Sequence, residues 1–240
     1  MRKRRFVFGV LLTAAISFLI CAWSEIHHKN IGQSQSVGSV GNGHLVNAYL
    51  LPYSGPNFSY FSFISYYVMD NGYVHSKIGQ TVLDAYVECE ESCPQTHFRV
   101  MECSDKKGGK MLLHNTHQNG LSIDFMLPKK KNNKAFSWLD GLGLWHYFLD
   151  FKNDGSLRAN ESITIDFETM ARHILALDDA GKKHGVRVKK VILKIELKDE
   201  FYRTASGEKV RDRGIYFAKA LPELTNNAHE DHYHIDFSFR

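Results

Sequence analysis

Cysteine is scarce in this chain, with four in 240 residues. One of them, Cys21, lies in the N-terminal apolar run, which leaves Cys89, Cys93 and Cys103. An odd number leaves one free or paired with another chain, and one local disulfide or small buried thiols is the expectation. Cys89-x3-Cys93 has no second pair of matching spacing, which argues against a cysteine cage for a metal. An excess of one charge is missing too. The formal net charge is +4, and Arg2, Lys3, Arg4 and Arg5 supply as much by themselves, so the remainder is near neutral and no nucleic-acid partner is expected. The chain also has no internal repeat and no low-complexity segment. Its one long hydrophobic run, Phe6 to Trp23, is confined to the N-terminus.

That run follows the four bases directly, the layout of a secretory leader. Ala22 and Ser24 supply the small residues at −3 and −1 of a cleavage after Ser24. The run is also long enough to stay in place as a membrane anchor. Ile20, before Cys21, is too bulky for a lipoprotein site. Residues 1–24 are therefore a signal peptide or an anchor, and 25–240 form one domain outside the cytoplasmic membrane. Any membrane contact is through an uncleaved N-terminal segment alone.

Within the domain, His27 to Gly43 is polar and glycine-rich and reads as an exposed lead-in. Tyr49 to Val68 is aromatic and broken by Pro52 and Pro56, which suits short strands or an irregular wrap. Ile78 to Cys89 places Ile78, Val82, Ala85, Tyr86 and Cys89 near one helical face, ended by Pro94. A strand is expected from about His97 to Cys103. Lys129 to Lys134 reads as a solvated turn. Trp138 to Phe151 is rich in large apolar residues, with His146 a packed or surface histidine. The clearest helix is Ile165 to His184, with Phe167, Met170, Ala171, Ile174 and Leu175 as its apolar stripe. Asp166 or Thr164 caps it and Gly185 closes it. Val188 to Leu197 alternates as a strand that buries Val191, Leu193, Ile195 and Leu197. A short amphipathic piece is expected around Ile215 to Leu221. The total is α+β: a small, mainly antiparallel sheet with flanking helices.

Chemistry concentrates at the C-terminus. His229-Glu230-Asp231-His232-Tyr233-His234-Ile235-Asp236 packs three histidines and three carboxylates into eight residues, costly crowding unless a cation or a proton transfer uses it. On a strand, His232, His234 and Asp236 share one face, and Tyr233, Ile235 and Phe237 the other. Far upstream, Leu121 to Phe125 alternates as well, with Ser122 and Asp124 opposite Leu121, Ile123 and Phe125. Gly120 sits where a turn with positive φ would deliver the chain into that strand. A loop folded back there brings His117 and Asp124 to one point within reach of His234. Two imidazoles and a carboxylate with an open fourth position make a catalytic zinc site.

His114-x-x-His117-Gln118-x-Gly120-Leu121-x-Ile123-Asp124 followed by His229-x-x-His232-x-His234 resembles the penicillin-insensitive murein endopeptidases. These belong with D-alanyl-D-alanine peptidases, lysostaphin-type endopeptidases and hedgehog domains. Gln35-Ser36-x-Gly38-Ser39, Asn42-Gly43 and Tyr73-x-His75 agree with it, so the likeness runs from about Gln33 to the C-terminus and is thin between the histidine motifs. His44 stands where enterobacterial members carry a cysteine, so their disulfide pattern is not carried over.

The resemblance implies a hedgehog/D-Ala-D-Ala peptidase-like fold and Zn2+ held by His117, Asp124 and His234. His232 is the first choice for binding the oxyanion or shuttling a proton, His229 the second, and Asp231 the third. His114 lines the cleft or supports a ligand from behind. Peptidoglycan stem peptides become the expected substrate, the D-alanyl–meso-diaminopimelyl cross-link the bond, and the periplasm the location. Two alternatives stand beside this: a D,D-carboxypeptidase or dipeptidase of the same superfamily, and a non-catalytic zinc-containing cell-wall binding module.

Overall fold

A computed structural model describes residues 13, 16–19, 22–111 and 114–240. The basic cluster at 2–5, most of the apolar run and Cys21 lie outside the described residues. No helix among the described residues is long and apolar enough to cross a membrane.

The architecture is α+β, as the sequence pattern indicates. Five strands form the main sheet: β1 (Phe58–Tyr60), β2 (Phe98–Val100), β3 (Ser122–Met126), β4 (Val186–Ile192) and β5 (His232–Phe239). Their spatial order is β4-β5-β3-β2-β1. Every pair is antiparallel except β1 with β2. Two long helices, α1 (Ser76–Ser92) and α2 (Phe167–His184), pack against each other. In α2, Met170, Ala171, Ile174 and Leu177 are fully buried. Asp166 is its cap, accepting from the Thr169 N–H at 3.2 Å, and Gly185 ends it at φ 70°. Only glycine adopts that φ at little cost.

One face of β5 and β3 builds the core. Tyr233, Ile235 and Phe237 alternate along β5 and are at most 1% exposed, with Phe125 and Ile123 beside them on β3. Each such side chain contributes about 1.5–3 kcal/mol on burial. The same alternation sends His232, His234 and Asp236 to the opposite face, so hydrophobic packing fixes where the polar row points.

Several local expectations are corrected. The β4 strand begins at Val186 and stops at Ile192, with a register shift between Val188 and Lys190. The bulge moves burial from a single alternating row to Val186 and Val188 and then to Val191, and Ile195–Leu197 turns into a 3-10 helix. Ile215 to Leu221 has no helix or full strand, and Phe217 bridges to Val191. Lys129 is not solvated: its ammonium lies 2.7 Å from Asp140 with both side chains buried. Cys89, Cys93 and Cys103 are buried free thiols, one of the two arrangements expected of them.

The glycine-rich lead-in is a β-hairpin, Gln35–Ser39 paired with Asn42–Val46. It clamps the loop before β3. Gln118 N–H donates to Val40 O at 3.0 Å and Ser36 Oγ to Asn119 O at 2.6 Å. A Cβ on Gly43 would stand 3.0 Å from Asn119 Cβ and 2.3 Å from Val37 O, so the close approach requires glycine.

Candidate metal centre

The loop that enters β3 carries the first half of the site. His117 has φ 69° and Gly120 φ 76°. A left-handed histidine is uncommon and is kept only where its surroundings hold it. The hairpin bonds do so from one side. From the other, His75 N–H donates to Gly120 O at 2.9 Å. Backbone strain here aims one imidazole at the start of β3.

The second half comes from register. His234 pairs directly with Asp124 across β5 and β3, and Asp236 with Ser122. His234 Nδ1 lies 2.7 Å from Asp124 Oδ1, and the His117 and His234 ring centres are 4.8 Å apart. The two distant segments therefore meet as the motifs require. Around Asp124 Oδ2 stand His117 Nε2 at 3.2 Å, His114 Nδ1 at 3.7 Å and His232 Nε2 at 4.0 Å.

Four imidazoles surround one buried carboxylate. Burial works to raise Asp124, but His117 and His234 overturn it and hold the carboxyl well below the usual range. His114, His117 and Asp124 form a group that could hold a metal ion, their donor atoms all within 4.8 Å of one another. His114 thus stands in the group itself instead of merely lining the cleft. His234, expected as the third ligand, is not in that group; it lies on the Oδ1 side of Asp124, its Nδ1 2.7 Å from that oxygen. Neutral imidazole and carboxylate are good donors for a divalent transition metal. His117 turns Nε2 to Asp124, and its Nδ1 is buried without a hydrogen-bond partner.

Behind these donors lies a layer of supporting bonds. His234 Nε2 is 2.7 Å from Asp236 Oδ1, which also accepts from Ser122 Oγ at 2.6 Å, while Lys190 Nζ lies 2.8 Å from Oδ2. A carboxylate that orients a ligating imidazole through its far nitrogen is a common support for metal sites. Burial opposes charge on His234, yet Asp124 and Asp236 raise its pKa to about 9.

His232 Nδ1 lies 2.6 Å from Asp231 Oδ1, and Asp231 Oδ2 is 2.8 Å from His146 Nδ1. Both Asp231 oxygens are thereby occupied, and the residue is 2% exposed. His232 is lowered by burial and raised more by Asp231, for a net upward shift. His229 is held neutral, pushed down to about 3 by burial and the nearby His232, with its Nδ1 2.6 Å from Thr225 O. Its ring centre is 4.7 Å from that of His232.

His114, His117, Asp124, His229, Asp231, His232 and His234 all line one cleft of about 670 Å³. Its rim adds residues that the motifs did not mark, among them Glu102, Tyr147 and Phe148. Glu102 is pushed up to about 7 by burial. The contact of His146 with Asp231 is the other addition, since an isolated histidine in an apolar run carries no signal of its partner.

No known family model matches this chain, and no curated protein matches it.

Proposed function

We propose that this protein is a zinc-dependent murein endopeptidase that hydrolyses the D-alanyl–meso-diaminopimelyl cross-links of peptidoglycan in the periplasm. The observation that carries the reading is the convergence of His114, His117 and Asp124 with His232 and His234, from two segments far apart in the sequence, on the lining of one cleft. His117, Asp124 and His234 serve as the zinc ligands, with His114 close enough to join or exchange with them. When bound, zinc supplies an acidified water and a Lewis acid for the scissile carbonyl.

The remaining roles belong to the chain. Since a carboxylate only accepts, Asp231 fixes the His232 proton on Nδ1 and turns Nε2 towards Asp124. That nitrogen is placed to take a proton and return it to the leaving amine. His229, neutral and alongside, is the second candidate for the same transfer. Asp231 has both oxygens engaged and acts as a positioning residue. The leaving group departs through a cleft to which Leu144 and Phe148 add apolar lining.

The test pairs metal content with muropeptide products for the native protein and Asp124→Ala. Cross-linked dimers should disappear with native protein, a chelator should stop the loss, and Asp124→Ala should bind no zinc. Release of terminal D-alanine without loss of dimers would indicate a carboxypeptidase. A chelator-indifferent activity removes zinc from the account, and zinc binding without any turnover favours a cell-wall binding module.

A further inference from the structure

Glu102 is a carboxylate on the wall of the cleft, 4% exposed, and it has no role in the chemistry above. Ser65 Oγ and Asn71 Nδ2 both donate to its Oε2 at 2.8 Å. Neither donor carries charge, and no Lys, Arg or His among the described residues forms an ion pair with it. Burial makes the charge on such a carboxylate costly and pushes its pKa up to about 7, and a cation that reaches it offsets that cost. Two neutral donors on one oxygen hold the group in place, and the cleft is open beside it.

Its place beside the reacting centre is set by the backbone. Asp124 N–H donates to Glu102 O at 2.9 Å, so Glu102 sits next to Asp124 just beyond the end of β2, and both residues line the cleft. A group bound at Glu102 therefore belongs to a substrate residue within reach of the scissile bond, such as the one before the residue under attack, not to a remote part of the polymer.

We propose that Glu102 is a recognition site for a primary ammonium group on the acyl side of the scissile amide. This rests on the endopeptidase reading. In the cross-link named there, the D-alanine under attack follows a diaminopimelate whose own side-chain amine is free. Glu102 receives that ammonium and selects stems in which it is unmodified. The charge-assisted bond also fixes the acyl half of the substrate against the wall that carries Glu102.

The probe is the disaccharide tetrapeptide with its diaminopimelate amine either free or acetylated. Binding to native protein and to Glu102→Gln is measured by calorimetry, with zinc and after chelation. Native protein should bind the free-amine form at least about tenfold more tightly than the acetylated one. Glu102→Gln, whose amide oxygen can keep both donors, should bind the two forms alike. Should that variant not fold, Ser65→Ala, which loosens the carboxylate, should narrow the preference several-fold.

Equal binding of both forms by native protein overturns the proposal, as does a preference that survives in Glu102→Gln. Binding of neither form overturns it together with the stem-peptide reading. Amine preference in a protein that leaves cross-linked dimers intact sinks the endopeptidase reading alone. Dimer cleavage without amine preference sinks the Glu102 assignment alone.

Discussion

Nδ1 of His146 stands 2.8 Å from Oδ2 of Asp231, both side chains at most 2% exposed. Because the other oxygen of Asp231 holds His232 at 2.6 Å, a residue of the aromatic segment is tied through one carboxylate to the imidazole nearest the metal ligands. Removal of His146 frees Asp231 to rotate and lets His232 change tautomer. His146→Leu should lower kcat on cross-linked muropeptides about ten- to a hundredfold with KM little changed. His146→Asn, whose amide N–H can reach the same oxygen, should recover most of the loss. Nitrogen-15 spectra give a readout independent of turnover, in which the Nδ1–H form of His232 should persist in His146→Asn and mix in His146→Leu. Equal behaviour of the two variants removes the positioning role.

Gly120 tests whether loop strain places the ligand. A Cβ there would lie 2.7 Å from His75 N and 2.8 Å from Leu45 Cδ2, at a φ of 76° that L side chains rarely adopt. Gly120→Ala should cost about 1–3 kcal/mol in urea unfolding. Zinc affinity should fall further than stability alone accounts for, because His117 is three residues away in the same turn. Unchanged metal affinity in a destabilised variant would show that the loop places His117 without help from this glycine.

The polar face of β5 was readable from alternation alone, since Tyr233, Ile235 and Phe237 had to be buried and His232, His234 and Asp236 followed by geometry. The α2 helix was equally legible, because a sustained apolar stripe between an Asp cap and a glycine stop has few alternatives. The bulge that ends β4 was not. One extra residue at Lys189 reverses which side chains are buried, and no residue type there announces it. His146 and Glu102 were missed for a different reason. Their importance lies in the partner each meets across the fold, and neither partner is near in sequence. Lys129 reads as solvated because it opens a run of lysines, yet its burial depends on Asp140 from the next segment.

That buried pair makes a clear energetic prediction. The Lys129 side chain is 0% exposed and Asp140 6%. Asp140→Ala should leave an ammonium stranded in the protein and cost about 3–5 kcal/mol. Replacing both partners, with Lys129→Met and Asp140→Leu, should recover most of the loss by removing the charge that needs compensation. Urea unfolding of the single and double variants measures this. A single-variant cost under about 1 kcal/mol, typical of surface pairs, would mean that water reaches Lys129.

His173 sets a pH dependence that is independent of the metal centre. It lies in the core among Tyr86, Phe98 and Phe125, and its Nδ1 is 2.6 Å from Tyr233 Oη. Burial pushes its pKa down to about 3. In the unfolded chain the same imidazole takes a proton near 6.5. Below about pH 6.5 the unfolded state therefore binds one proton that the native state refuses, and stability falls as pH falls. The loss from this group runs towards pH 3 with a slope of at most about 1.4 kcal/mol per pH unit, and is absent above about pH 7. His173→Phe keeps the ring packing and removes the titration. Its stability should fall less steeply than that of the native protein between pH 6 and about 4, with the difference close to that slope. Parallel curves for the two proteins would show that the core admits the proton, and the buried neutral histidine would have to be given up.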